Sequence, residues 1–155
     1  MTNLSEARPG DLLPPRTITI AADPMKVMAL LLQDSNVIHF DTRRVAELGL
    51  GDRPINQGPS NLGYVISMLQ QWAGSGEYLR SVSARFQANS FAGDTVVAHG
   101  AVTSTDRSIN ALFVTCDVAL DRTDGTRILS GTAVVGTRSG TVGPTRTVAK
   151  TGDCH

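Results

Sequence analysis

Hydrophobic and polar positions along the chain fall into two regimes. Between residues 23 and 73 apolar residues recur every three to four positions, the period of a helix with one buried face, whereas from residue 78 onward they alternate as in a strand. In the first helical stripe, Val27, Met28, Leu31 and Leu32 follow Asp23 as N-cap and Pro24 in the first helical position, and the helix is expected to end near Gln33. A short helix over residues 42–48 is predicted next, capped by the Asp41 carboxylate and stopped by Gly49 and Gly51. The third helix is the clearest. Pro59 sits in its first turn, Leu62, Val65, Ile66 and Leu69 lie along one face, and Gly74-Ser75-Gly76 ends it after Trp72. Small residues at Ser60, Gly63 and Ser67 predict close packing on its other sides, so this is the helix expected to be buried.

A β-branched segment at residues 16–20, entered from a Pro-rich lead, reads as a first strand. From residue 78, Val82, Ala84, Phe86 and Ala88 alternate with Ser81, Ser83, Arg85 and Gln87, a half-exposed strand. Further strands are predicted at residues 95–103, 112–120 and 128–137, separated by turns at 92–94, 106–110 and Asp124-Gly125. Helices first and antiparallel strands afterwards make an α+β chain and disfavour the parallel dinucleotide folds. The division expected is a lead over residues 1–15, one domain over 16–137 and a Gly-, Thr- and Arg-containing tail over 138–155.

Composition narrows the function. At 155 residues one domain fits, and equal numbers of acidic and basic residues, 14 of each, leave no global field to draw the chain onto nucleic acid or an acidic membrane. Seven aromatic residues are little material for base stacking, which also argues against nucleic acid. Cys116 lies in an apolar run and Cys154 is penultimate, so a reduced, cytoplasmic protein is expected rather than a disulfide-stapled one. Residues 1–13 lack the basic start and apolar segment of a signal peptide, and no apolar run approaches the roughly 20 residues that span a bilayer, so no membrane role is expected. His39, His99, His155 and the two cysteines lack the close paired spacing of zinc ligands, so no metal site is expected.

What remains is residues 33–41, Gln-Asp-Ser-Asn-Val-Ile-His-Phe-Asp. A carboxylate at a helix C-terminus opposes the macrodipole, so Asp34 is not there for helix stability. His39, five residues on, could face it across a turn, with Asn36 fixing the loop through side-chain to backbone bonds. The plain alternative is a polar turn with a packed histidine. Further along, Gln57-Gly58-Pro59 brings a glycine N–H to the start of the buried helix, where negative charge is favoured, although a glycine at a helix start needs no further role.

The stretch Asp34-Ser-Asn-Val-Ile-His39-Phe-Asp, then Ala46-Glu-Leu-Gly49 and Ile55-Asn-Gln-Gly58, resembles the MaoC-like (R)-specific enoyl-CoA hydratases, with their Asp-x-Asn-x-x-His hydratase-2 motif. Pro9-Gly10-Asp11-Leu-Leu-Pro14 and Phe91-Ala-Gly93-Asp94 are similar to that family's entry and strand turn, and the resemblance runs from about residue 9 to 137. It implies a hot-dog fold, an antiparallel sheet wrapped around a long central helix, paired with a like or unlike hot-dog subunit. It also implies a hydro-lyase that hydrates trans-2-enoyl thioesters or dehydrates (R)-3-hydroxyacyl thioesters of coenzyme A or acyl carrier protein, without a cofactor. Asp34 and His39 would be the catalytic pair, Asn36 their support, and the Gly58 N–H the donor to the thioester oxygen. Val37 stands where the family commonly has Pro, and Gln57 and Pro59 replace the common His and Met, which bears on the substrate tunnel they would shape. A non-catalytic subunit of a heteromeric dehydratase and an acyl-CoA thioesterase are the competing readings. Arg43, Arg44, Arg80 and Arg85 are candidate partners for coenzyme A phosphates, though paired surface arginines are usually only solvated.

Overall fold

The structure, a computed structural model, describes residues 4–74, 77–108 and 111–137. The expected tail, residues 138–155, lies outside the described residues. Strands β1 (Arg16–Thr19), β2 (Glu77–Phe86), β3 (Thr95–Arg107), β4 (Leu112–Arg122) and β5 (Arg127–Thr137) form one antiparallel sheet in the order β1-β3-β4-β5-β2. Helices α1 (Ala22–Leu31) and α2 (Thr42–Glu47) precede α3 (Gly58–Ala73), which touches all five strands. The sheet is therefore wrapped around α3, the hot-dog arrangement.

The alternation in β4 explains the wrap. Leu112, Val114, Cys116, Val118 and Leu120 all point inward and meet Val65, Met68 and Leu69 of α3 in one core. Each such side chain, removed from water, contributes roughly 1.5–3 kcal/mol. Burial also pushes the Cys116 thiol up to about 12, with the neighbouring Asp117 charge adding to the effect. Leu4, Ala7 and Leu13 of the lead join the same core. Strand packing is close enough at Gly131 that a Cβ there would lie 2.0 Å from the Ser83 carbonyl oxygen. β3 runs to Arg107, past the expected end at 103, because a bulge between Val102 and Ser104 keeps it in register with β4 as far as Arg107 opposite Leu112.

Helix α1 departs from expectation in three ways. It starts one residue after Ala21, so Pro24 occupies the third helical position, where its missing N–H is equally harmless, and Asp23 pairs with Lys26 at 3.1 Å instead of capping. It also ends at Leu31, and Gln33 follows with φ +52°. Finally, the face it buries carries Met25 and Ala29, whereas Leu30 and Leu31 stand 79% and 73% exposed. Periodicity finds an apolar stripe but does not say which of two adjacent stripes meets the core.

Candidate active site

The loop after α1 is built by local hydrogen bonds that the sequence dictates. The Gln33 N–H donates to the Leu30 carbonyl and the Asp34 N–H to the Ala29 carbonyl, which closes α1 with Gln33 in the left-handed region usually taken by glycine. Asp34 Oδ1 then accepts from the Asn36 N–H at 3.0 Å, and Asn36 Oδ1 accepts from the Ile38 N–H at 3.3 Å. Asn36 thereby caps a single 3₁₀ turn, Val37–His39, that delivers the histidine. Asp41 caps α2 by accepting from the Arg43 and Arg44 N–H groups and anchors the far end of the loop.

Asp34 and His39 meet, with His39 Nε2 3.1 Å from Asp34 Oδ2. His39 is buried, and its Nδ1 lies 2.6 Å from the Ile55 carbonyl oxygen. Because a carbonyl only accepts, Nδ1 carries the hydrogen and Nε2 is the nitrogen presented to the carboxylate. Asp34 is partly open, so the pair has one dry side and one reachable from solvent. An open pocket of about 720 Å³ with a mainly apolar surface adjoins it, lined by Ala29, Leu30, Asp34 and Phe40 together with Lys26, Gln33 and Ser35.

Ile55 is held from several directions. Its N–H donates to the Ile38 carbonyl, and residues 54–56 bond to the turn at 90–92 through the Ala92 N–H to the Pro54 carbonyl and the Asn56 N–H to the Ser90 carbonyl. Arg53 locks this contact by donating to Asp94 Oδ1 at 2.8 Å while its guanidinium lies 5.2 Å from the Phe91 ring centre. Asp94 also accepts from the Phe91 N–H and from Arg122. Burial alone would raise the Asp94 carboxyl, but the Phe91 N–H and the two guanidinium groups outweigh it and hold the group below its ordinary value. In the sequence, Asp94 and Ile55 stand only as members of quoted stretches with no role of their own, and Arg53 is not singled out. A backbone acceptor leaves no trace in residue type, and the Arg53 to Asp94 pairing spans 41 positions.

At the start of α3, Gly58 is the first helical residue and Pro59 the second. The N-cap Gln57 makes no side-chain cap; its buried amide donates to the Met25 carbonyl at 2.9 Å and ties α3 to α1. The N–H of Gly58 belongs to the orphan donors of a helix start, and Pro59 adds none. Pro59 borders a second cavity, and the Phe86 ring lies 3.5 Å from where a Gly58 Cβ would stand.

Arg43 and Arg44 follow this loop directly, in α2, whereas His99 and Arg80 have their described partners in the sheet. His99 Nε2 is 2.9 Å from Asp121 Oδ2, a carboxylate that Arg127 also binds. Burial acts to raise Asp121, yet these hydrogen bonds and charges together lower it. Arg44 pairs with Glu47, and Arg80 lies over the Phe113 ring at 4.6 Å. Among the described residues no three His, Cys, Asp or Glu side chains gather as metal ligands, and no helix is long and apolar enough to cross a membrane.

Residues 6–122 match the protein family described as MaoC like domain. No curated protein sequence matches. Among solved structures, the (R)-hydratase from A. caviae involved in PHA biosynthesis is 26% identical over 83% of this chain and 95% of its own, with a TM-score of 0.75. The ChsH1-ChsH2 complex from Mycobacterium tuberculosis contains a chain 22% identical, covering 84% of this chain and 98% of that one, with a TM-score of 0.74. The R-hydratase PhaJ1 from Pseudomonas aeruginosa is 17% identical over 92% and 94%, with a TM-score of 0.76.

Proposed function

The chain belongs to the MaoC-like domain family, and we propose that it is a hydro-lyase that adds water to trans-2-enoyl thioesters, or removes it from (R)-3-hydroxyacyl thioesters, with coenzyme A as the carrier. The observation that carries this reading is the Asp34 to His39 contact at 3.1 Å, with the imidazole clamped by the Ile55 carbonyl and a mainly apolar pocket alongside. A polar turn with a packed histidine accounts for the Ile55 bond but not for a partly open carboxylate facing Nε2 beside an apolar pocket.

In the hydration direction a water molecule held against the pair gives its oxygen to C3 and one proton to the pair. The C2–C3 π electrons move onto the thioester oxygen, whose charge is stabilised by the Gly58 N–H and the dipole of α3. A proton from the pair then reaches C2 as the carbonyl re-forms. Since one proton enters the pair and one leaves it, the pair ends as it began and acts as a unit. Asn36 holds the turn that carries His39, and Gln57 and Pro59 shape the entry through their contacts with α1 and the second cavity. One neighbour in fold is a complex of unlike chains, which supports pairing with a second hot-dog subunit, either a copy or a partner chain.

Crotonyl-CoA tests the assignment. Loss of enoyl absorbance without free thiol is the expected result. Thiol release would identify a thioesterase, and neither change, with crotonyl-CoA and with bulkier enoyl-CoA substrates, would identify a non-catalytic subunit.

A further inference from the structure

One polar side chain stands on the apolar stripe by which α3 meets the core. Asn61, the fourth residue of the helix, is buried in line with Val65, Met68 and Trp72. Asparagine is a poor residue for a helix interior because its amide competes for backbone groups, and an amide is unfavourable to bury unless it is hydrogen-bonded. Helix formation and core packing would both favour leucine there. The amide instead accepts two hydrogen bonds on one oxygen. Asn61 Oδ1 accepts from Asn56 Nδ2 and from Ser90 Oγ, each at 2.8 Å, which fills its two lone pairs. The Asn61 N–H donates to the Gln57 carbonyl at 3.1 Å, and the Asn56 N–H donates to the Ser90 carbonyl at 2.8 Å. All three polar side chains, Asn56, Asn61 and Ser90, are buried, so the network holds one arrangement away from competing water.

The two residues that Asn61 grips, Asn56 and Gln57, are those between Ile55 and Gly58. Ile55 supplies the carbonyl that orients His39, and Gly58 supplies the N–H at the start of α3. The imidazole and the oxyanion donor are thus both referred to one short segment, residues 55–58. We propose that Asn61 is a positioning residue for the reaction: by holding Asn56 against Ser90, its side-chain oxygen sets the placement of the His39 imidazole relative to the Gly58 N–H. It acts through Ile55 and Gly58 and meets no substrate. Its effect on turnover rests on the hydro-lyase reading above, whereas its effect on His39 does not.

Asn61→Leu removes the acceptor at nearly constant volume. The His39 Nδ1 proton, donated to the Ile55 carbonyl at 2.6 Å, reads the placement directly by NMR and is identified by its loss in His39→Gln. In Asn61→Leu its resonance is expected to move upfield as the bond lengthens. Turnover of crotonyl-CoA should fall about 10- to 100-fold with KM within about twofold of wild type, because misplaced groups slow the chemistry without removing a binding contact. Met68→Ala, on the same stripe of α3, is the control for lost stability alone: it should lower Tm and leave both the resonance and kcat of the folded protein in place. An unmoved resonance or an unchanged kcat in Asn61→Leu overturns the proposal, and so does a Met68→Ala variant with the same two effects. Ser90→Ala removes one of the two donors and keeps the Asn56 to Asn61 bond, so it decides the matter if Asn61→Leu does not fold: a smaller upfield movement with kcat about threefold lower supports the proposal, and no change in either overturns it. Failure of the hydro-lyase reading has a different signature, no turnover by the wild type while the His39 resonance still moves in Asn61→Leu.

Discussion

Replacing Asp94 with asparagine tests whether the clasp beneath the dyad is structural, catalytic or both. Asp94 is buried and accepts from the Phe91 N–H at 2.9 Å, from Arg53 at 2.8 Å and from Arg122 at 3.2 Å. Breaking one partner of a fully buried ion pair costs roughly 3–5 kcal/mol. Arg53 and Arg122 are 45% and 21% exposed, so water reaches both stranded cations, and the loss in Asp94→Asn should be about 2 kcal/mol. In a chain of this size that lowers Tm by roughly 4–8 °C. The sign of the pH dependence is fixed by the lowered carboxyl. A folded-state value below the unfolded one gives stability that is complete above the unfolded value and is lost as pH falls through the folded one. The gap between wild type and variant, followed by thermal denaturation, should therefore be widest near neutrality and narrow below about pH 4. Arg53 also docks the segment whose Ile55 carbonyl orients His39, so crotonyl-CoA turnover should fall about tenfold through misalignment of the dyad. An unchanged Tm at neutral pH, or a gap that widens on acidification, refutes the reasoning. A full Tm loss with undiminished turnover would separate the clasp from the dyad.

Other expectations follow from single features. Asp34→Asn and His39→Gln should each lower crotonyl-CoA turnover by about 10²- to 10⁴-fold with the circular dichroism spectrum unchanged, and near-normal activity in either would remove the dyad. Gln33→Gly relieves a left-handed residue at φ +52° and should raise stability by up to about 1 kcal/mol in urea titration, whereas a fall would show that the side chain contributes more than the backbone strain. Gly131→Ala would press a Cβ into the Ser83 carbonyl and should destabilise the sheet by about 3 kcal/mol or more, unless an unchanged denaturation midpoint shows that β2 and β5 can separate. In a Cys154→Ser background the Cys116 thiol, pushed up to about 12 by burial, should resist a thiol reagent at pH 8 until the protein is unfolded, and prompt labelling of the folded protein would contradict the described core.

The sequence by itself determined the helices and strands, because periodicity is a local record of which face is buried. Alternation over β4 and the three- and four-residue spacing in α3 were legible for that reason. The proximity of Asp34, Asn36 and His39 was legible too, since a turn of six residues closes through its own side-chain to backbone bonds. Only the tertiary structure decided which stripe of α1 faces inward, because Met25 joins the core that α3 and the sheet build, and its carbonyl accepts from Gln57, 32 residues on. It also decided which nitrogen of His39 faces the carboxylate, through a backbone carbonyl 16 residues away. The clasp of Arg53 and Asp94 belongs to the same class. It is a contact between segments distant in the chain, and no local pattern encodes a partner that folding alone brings near.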